Sequence, residues 1–492
     1  MTPTPMTPIP MTPIPMTLAG TEAARFAADL IRIDTTNRGG GDAQERPAAE
    51  YVAARLVEAG LEPVLLESAP GRANVVARVS GTETSTGAGT GASSGASSGA
   101  GSGALLLHGH LDVVPADPAS WTVPPFAGEI RDGVLWGRGA VDMKNADAVL
   151  LALVSQWARE GRGPRRDLVL AFTADEEDTA EFGAQWLVER HPELFEGCTE
   201  AIGESGAFTF HAGPGQRLYP VASAERGTAW LKLTARGRAG HGAKPNPENA
   251  VTRLAAAISR IGDYAWPVRL IPTVSAAVEA IAAAVGAELP AGVGGAARVG
   301  GAARVGGAAG AGGLAAGELT AGELLAALGP AGALVAGTVR NSANPTMLQA
   351  GYKLNVIPDE AVGYVDGRVL PGYEDEFRAA LDELTGPDVS WAYAHREIPL
   401  EAPLDAPVMA AMAQALLAED PGSTVVPYCM SGGTDAKQFA RLGMACYGFT
   451  PVVLPEGYDY YAMFHGTDER IPLSALESGV RIMDRLLADP RA

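Results

Sequence analysis

Five stretches of the chain pass from apolar residues straight into histidine or acid. They are "LLLHGHLDVVP" (105–115), "WGRGAVDMKN" (136–145), "DLVLAFTADEED" (167–178), "TEAIGESGAF" (199–208) and "YAMFHGTDERIP" (461–472). A buried strand tolerates charge only at its ends, and in open α/β sheets ligands gather just beyond the carboxyl ends of strands. One acidic cluster such as "FTADEED" has a bland reading, a solvated turn where the chain surfaces. Five transitions that offer two histidines and three or four carboxylates ask for a shared site. Two zinc ions roughly 3.5 to 4 Å apart need about that inventory, with one carboxylate bridging.

The rest of the pattern says what carries those strands. Between about residues 22 and 222, helical patterns alternate with short apolar runs such as "NVVARV" and "ALLLHGHLDVV". That alternation predicts an α/β fold with a central mixed sheet flanked by helices. From about 225 to 397 the pattern changes: "TAWLKLTARG" reads as a strand and "PNPENAVTRLAAAISRIG" as a helix with Pro247 in its first turn. "YKLNVIPDEAVGYVDGRV" reads as a hairpin-like pair of strands. "YEDEFRAALDELTG" is a helix that puts Phe377, Leu381 and Leu384 on one face and closes at Gly386, and "VSWAYAH" is a strand. Together these predict a smaller ferredoxin-like α+β sandwich, βαββαβ, interrupting the larger domain. The domains are therefore expected at 17–224, 225–397 and 398–492.

Three segments stand outside that plan. The opening "MTPTPMTPIPMTPIPMTLAG" is a five-residue repeat with neither a basic region nor an apolar core, so 1–16 is expected to be a disordered tail and not a signal peptide, with Met16 as an alternative start. The Gly/Ser stretch 81–104 is expected to be a flexible surface loop. About 284–318 is an Ala/Gly-rich insertion holding tandem "VGGAAR" units too short for a solenoid. The 37 basic against 57 acidic residues give a net charge of -20, which repels nucleic acid and anionic membranes, so neither is expected as a partner. Cys198, Cys429 and Cys446 are widely spaced and form no paired motif. With no apolar run long enough for a bilayer, a reducing, cytoplasmic location is expected.

His108, His110 and Asp112 alternate, so an extended chain puts them on one face. His108 reads as a core histidine. His110 reads as a ligand, because Asp142 follows at a glycine-flanked turn leading into the helical "ADAVLLALVSQWA"; alone, that aspartate would read as a helix cap. Glu176 and Glu177 are adjacent and project to opposite sides, so they cannot serve one metal in the same way. Ser431 in "MSGGTD" lacks a "GxSxG" setting and no "HExxH" occurs, which argues against a serine hydrolase and a zincin.

"HGHLDVVP", "GRGAVDMK", "TADEED", "GESG", "SGGTDAKQF" and "FHGTDERIP", in this order, resemble the co-catalytic zinc aminoacylase and carboxypeptidase family. That family includes acetylornithine deacetylase, succinyl-diaminopimelate desuccinylase and glutamate carboxypeptidase. The resemblance implies a zinc-exopeptidase-like catalytic domain and two Zn2+ per subunit, with Co2+ or Mn2+ able to substitute. It implies that Asp142 bridges the metals, that His110 and Glu204 complete one site, and that Glu177 and His465 complete the other. Asp112 would orient His110, and Glu176 would be the general base. A cis peptide is implied between Asp142 and Met143. The inserted sandwich would be a lid and the dimerisation domain of a homodimer. Its His241 would stabilise the oxyanion, with Asn355, Arg368, Gly433 and Thr434 around a substrate carboxylate. Arg368 read on its own fits either that role or a salt bridge within the lid. Asn145 stands where the family usually has glycine, which removes no ligand. The implied activity is hydrolysis of an amide bond next to a free carboxylate in a small N-acyl amino acid or peptide. The alternative is a silent homologue that binds without cleaving, although the base and all five ligands are present.

Overall fold

The computed structural model of the protein describes residues 15–82, 103–290, 293, 320–489 and 491. The repeat at 1–14 and most of both low-complexity stretches, 83–102 and 294–319, lie outside the described residues. The chain divides into two units: Met1–Ala222 with Ala402–Val425 and Thr434–Ala492, and Ser223–Glu401 with Val426–Gly433.

The first unit is built on a mixed sheet. Its strands run in the spatial order Val64–Ala69, Arg72–Val79, Leu168–Thr173, Ala104–His110, Cys198–Gly203, Ala445–Gly448 and Gln216–Glu225, of which the last belongs to this unit only as far as Ala222. The central four, from Leu168–Thr173 to Ala445–Gly448, are mutually parallel. Every residue of Ala104–His110 and of Leu168–Thr173 is buried, as expected for parallel strands covered on both faces, and this is why their sequences read as unbroken apolar runs. In register, His110 stands beside Thr173 and Leu107 beside Ile202. The strand ends that carry the candidate ligands are therefore flush. The helix Lys144–Glu160 starts two residues after Asp142 and ends at Gly161, whose left-handed φ of 63° closes it.

One ion pair pins the rim of this unit. Asp420, which follows the helix Pro407–Glu419, accepts Nε and Nη2 of Arg217 at 2.7 Å each and the hydroxyl of Tyr219 at 2.9 Å. Burial opposes ionisation of Asp420, but the bonds from Arg217 and then Tyr219 prevail and hold its carboxyl below the ordinary range. A depressed folded pKa gives stability that is present above the unfolded carboxylate pKa and lost as pH falls through the folded one. Asp420→Ala is thus expected to cost about 2 kcal/mol at pH 7. In urea denaturation the gap to the parent should narrow progressively below about pH 4.

The second unit has a four-stranded antiparallel sheet in the order Ser342–Ala350, Glu360–Val369, Gly227–Arg236, Val389–Arg396. With the helices Ala250–Asp263 and Glu374–Thr385 the order of the sandwich is βαββαβ, as read from the sequence, but its second strand is Ser342–Ala350 and lies outside the 352–369 stretch expected to supply it. Leu231, Leu233, Val365, Leu254, Phe377 and Leu381 meet in its core. Two local expectations need correcting. Pro247 lies outside the helix, which starts at Ala250 because the Asn249 side chain caps it by accepting the N–H groups of Val251 and Thr252. The stretch 352–369 is not a hairpin: Val356–Ile357 pairs with Gly240–His241, whereas Glu360–Val369 pairs with Ser342–Ala350 and Gly227–Arg236.

Candidate metal centre

His110 ends its strand, Glu176 and Glu177 follow the end of Leu168–Thr173, and Glu204 follows the end of Cys198–Gly203. Asp142 sits in the turn before its helix, and the peptide linking it to Met143 is cis. These residues and His465 all belong to the first unit. Oδ1 of Asp142 is 3.1 Å from His110 Nε2, and its Oδ2 is 3.2 Å from His465 Nε2. The one carboxylate therefore faces two imidazoles with its two oxygens. Glu204 Oε2 lies 3.6 Å from His110 Nε2, and Glu177 Oε2 lies 3.1 Å from His465 Nε2. Glu176 turns the other way from its neighbour, with Oε2 3.9 Å from His110 Nε2. His110, Asp142 and Glu177, and again His110, Glu176 and Glu204, bring ligand atoms within 4.8 Å of one another.

The donor set fits two divalent cations. Four carboxylates face two imidazoles, all of them largely buried except the exposed His465, so even two imidazolium ions leave negative charge uncompensated. Oε1 of Glu177 is buried and has no hydrogen-bond partner, a lone pair that a cation would satisfy. Carboxylate and imidazole are the ligands that zinc, cobalt and manganese accept. The titration shifts follow from the crowding. Burial, then the Glu204 carboxylate, push Glu176 well above the usual range. Burial, then Asp142, push Glu177 up to about 7. Bonds to Asp142 and then Glu177 push His465 up to about 10. Asp142 moves oppositely: burial would raise it, but its bonds to His110 and His465 hold it below the carboxylate range. His108 is packed 4.9 Å from the Phe439 ring, and burial pushes it down to about 3, so it is a neutral core imidazole.

Asp112 acts differently from the sequence expectation. The closest contact of His110 Nδ1 is the backbone carbonyl of Asp112, at 2.9 Å, whereas the carboxylate is 3.7 Å away. That carboxylate instead accepts the N–H of Glu176 at 3.1 Å and of Glu177 at 3.2 Å. Asp112 fixes the tautomer of His110 with its backbone and the glutamate turn with its side chain.

Sequence reasoning missed Glu469. Fully buried, it accepts the N–H groups of Gly139, Val141 and Asp142 at 3.1, 2.6 and 3.1 Å, and Nη1 of Arg138 at 2.6 Å. Nη2 of the same arginine donates to the carbonyl oxygens of His465 and Gly466 at 3.4 and 3.1 Å. One buried ion pair thus holds both the Asp142 turn and the His465 loop. The only hint in the sequence was an acid four residues after His465.

Of the substrate-side candidates, Thr434 is in the first unit, buried, and accepts the N–H of Ala436 at 3.1 Å. Gly433 belongs to the second unit, as do His241, Asn355 and Arg368. His241 and Asn355 are both exposed and are brought together there, with Gly242 donating to the Asn355 carbonyl at 2.9 Å. Arg368 lies apart from them, paired with Asp366 at 2.8 Å and donating to Thr228 Oγ1 at 3.2 Å.

Comparison with known proteins gives these observations a context. The family described as peptidase family M20/M25/M40 matches residues 106–489. An N-fatty-acyl-amino acid synthase/hydrolase of Xenopus tropicalis is 27% identical over 388 residues, covering 78% of this chain and 71% of the relative. A succinyl-diaminopimelate desuccinylase of Maricaulis maris is 35% identical over 164 residues, 32% of this chain and 39% of the relative. An M20 family metallo-carboxypeptidase of Sulfolobus solfataricus superposes with a TM-score of 0.65 at 15% identity, covering 95% of this chain and 98% of its own, a likeness of fold. Among the described residues, no helix is long and apolar enough to cross a membrane.

Proposed function

The chain belongs to peptidase family M20/M25/M40 and is a metal-dependent amide hydrolase, and on that premise we propose that it cleaves an amide bond next to a free carboxylate in N-acyl amino acids or small peptides. The observation that carries this reading is Asp142, whose two oxygens face two different histidines while Glu176 and Glu177 part on either side.

His110, Glu204 and Asp142 would hold one zinc ion, and His465, Glu177 and Asp142 the other. When bound, the ions supply Lewis acidity toward water and the scissile carbonyl. Glu176 removes a proton from the attacking water as the new C–O bond forms, then delivers it to the nitrogen as the C–N bond breaks, so the products are a carboxylic acid and an amine. Backbone N–H bonds to Asp112 fix the Glu176 main chain, so its carboxylate swings from a rigid base. We assign His241 to the oxyanion, and Asn355, Arg368, Gly433 and Thr434 to the substrate carboxylate, for which an arginine fork is suited. In this reading the second unit is the lid, through which the chain forms a homodimer.

The test is a hydrolysis panel of N-acetyl, N-succinyl and long-chain N-acyl amino acids and dipeptides, run with the metal content measured. The expected result is about two metal equivalents per chain, turnover abolished by chelator and restored by zinc, and loss of turnover when the substrate carboxylate is amidated. Bound metal with no hydrolysis of any panel member would favour a silent binding protein.

A further inference from the structure

Arg72 opens the strand Arg72–Val79 and is fully buried. Its guanidinium meets Glu45 in a two-pronged bond, Nε to Oε2 and Nη2 to Oε1, each at 2.8 Å. That pair would suffice to tie the start of the helix Arg46–Glu58 to the sheet. Nη2 also donates to Oδ1 of Asp175 at 2.7 Å, and there the contacts become a chain. The same Asp175 oxygen accepts Nδ2 of Asn37 at 3.0 Å, and Asn37 Nδ2 donates again to Oδ2 of Asp112 at 2.9 Å. Asp112 is the residue whose carboxylate receives the N–H groups of Glu176 and Glu177.

Asp175 itself sits at a φ of 65°, a left-handed conformation uncommon for a residue with a side chain. Such a backbone persists only where its surroundings over-determine it. Here they do: Oδ1 is held by Arg72 and Asn37, and Oδ2 accepts the N–H of Phe182 at 3.2 Å and Thr179 Oγ1 at 3.3 Å. Arg72 is the one cation in the chain of contacts from Glu45 through Asp175 to Asp112, and charge acts strongly in a buried setting. Without it, the Asp175 carboxylate loses the cation it meets at 2.7 Å and shares Asn37 with the Asp112 carboxylate uncompensated, which loosens the support of the turn carrying both glutamates. Small displacements at reacting groups cost rate steeply.

We propose that Arg72 is a positioning residue for the Glu176–Glu177 pair, acting through Asp175, Asn37 and Asp112 and not by contact with either glutamate. The proposal rests on the roles given above to Glu176 as base and Glu177 as ligand.

Arg72→Met and Asn37→Ala cut the chain at different links. Each is expected to weaken zinc binding to the metal-stripped protein, read by competition with a chelating dye, by about 10–100-fold. Each should lower kcat by a similar factor while KM stays within about 3-fold. The double variant should be no worse than the more severe single one, because both act on one path. In a Glu176→Gln background the kcat loss should vanish while the weakened zinc binding persists. If both single variants only lower Tm, with zinc affinity and kcat per folded protein unchanged, or if their losses add, the positioning role is wrong and Arg72 is a structural ion pair. If Arg72→Met does not fold, Asn37→Ala decides by the same zinc and kcat readings. If Glu176→Gln retains turnover, the base assignment falls instead, and zinc affinity still decides whether Arg72 acts on Glu177.

Discussion

Glu176→Gln is expected to keep its metals and its fold and to lose turnover by about 10²–10⁴-fold, the usual contribution of a positioned acid–base group. The substitution preserves volume and leaves the Glu176 N–H bonded to Asp112, so the turn should stay in place. It removes only the capacity to accept and return a proton. Adjacent Glu177 cannot take over, because its carboxylate is committed to His465 at 3.1 Å. Metal analysis beside steady-state kinetics on the best substrate of the panel checks this directly. Full metal content with kcat lowered at an unaltered KM is the signature of an interaction made only in the transition state. A variant that turns over at near the parental rate would remove Glu176 from the mechanism, and one that loses metal would make it a ligand.

The second large effect is expected at Asp142. Asp142→Ala should lose both metals together and, with them, on the order of 10³-fold or more in kcat/KM. His110 and His465 each approach a different oxygen of this carboxylate, at 3.1 and 3.2 Å, so one truncation takes a ligand from both positions. His465→Ala is the comparison, since it touches one position only and should leave about one metal per chain. Asp142→Asn keeps the shape but offers a single carbonyl oxygen, and is expected between the two. Titration of the stripped proteins with zinc separates the cases. If Asp142→Ala still binds two equivalents with parental affinity, the carboxylate is not shared.

The part of this centre that could be read in the sequence was the part carried by strand ends. Buried parallel strands make unbroken apolar runs, so the first histidine or acid after each run marks the edge of the sheet, and register then brings His110, Glu177 and Glu204 together. Alternation ceases to hold one step further on. Asp112 shares a face with His110 only if the chain stays extended, and the strand ends at His110. Past that point the carboxylate turns to the glutamate backbone. Glu469 was illegible for a different reason: its partners lie 327 to 331 residues away, and no local pattern announces a contact of that span. Arg72 and Asp175, 103 residues apart, are the same case. In the second unit the inserted sandwich was legible from periodicity. The start of its first helix was not, because an asparagine cap at Asn249 outweighed a nearby proline.

The grip of Glu469 on the Asp142 turn also orders events in time. His110, Asp142, Glu177 and Glu204 leave the ribosome well before His465, Glu469 and the helix Leu473–Ala488. Domains tend to fold as they emerge, amino terminus first. Until Glu469 emerges, the nascent chain holds a cluster of acids whose clasp has yet to be synthesised, so the centre is completed only after that segment has left the ribosome. A product terminated before His465 is therefore expected to lack both the Glu469 clasp and one of the two candidate histidine ligands.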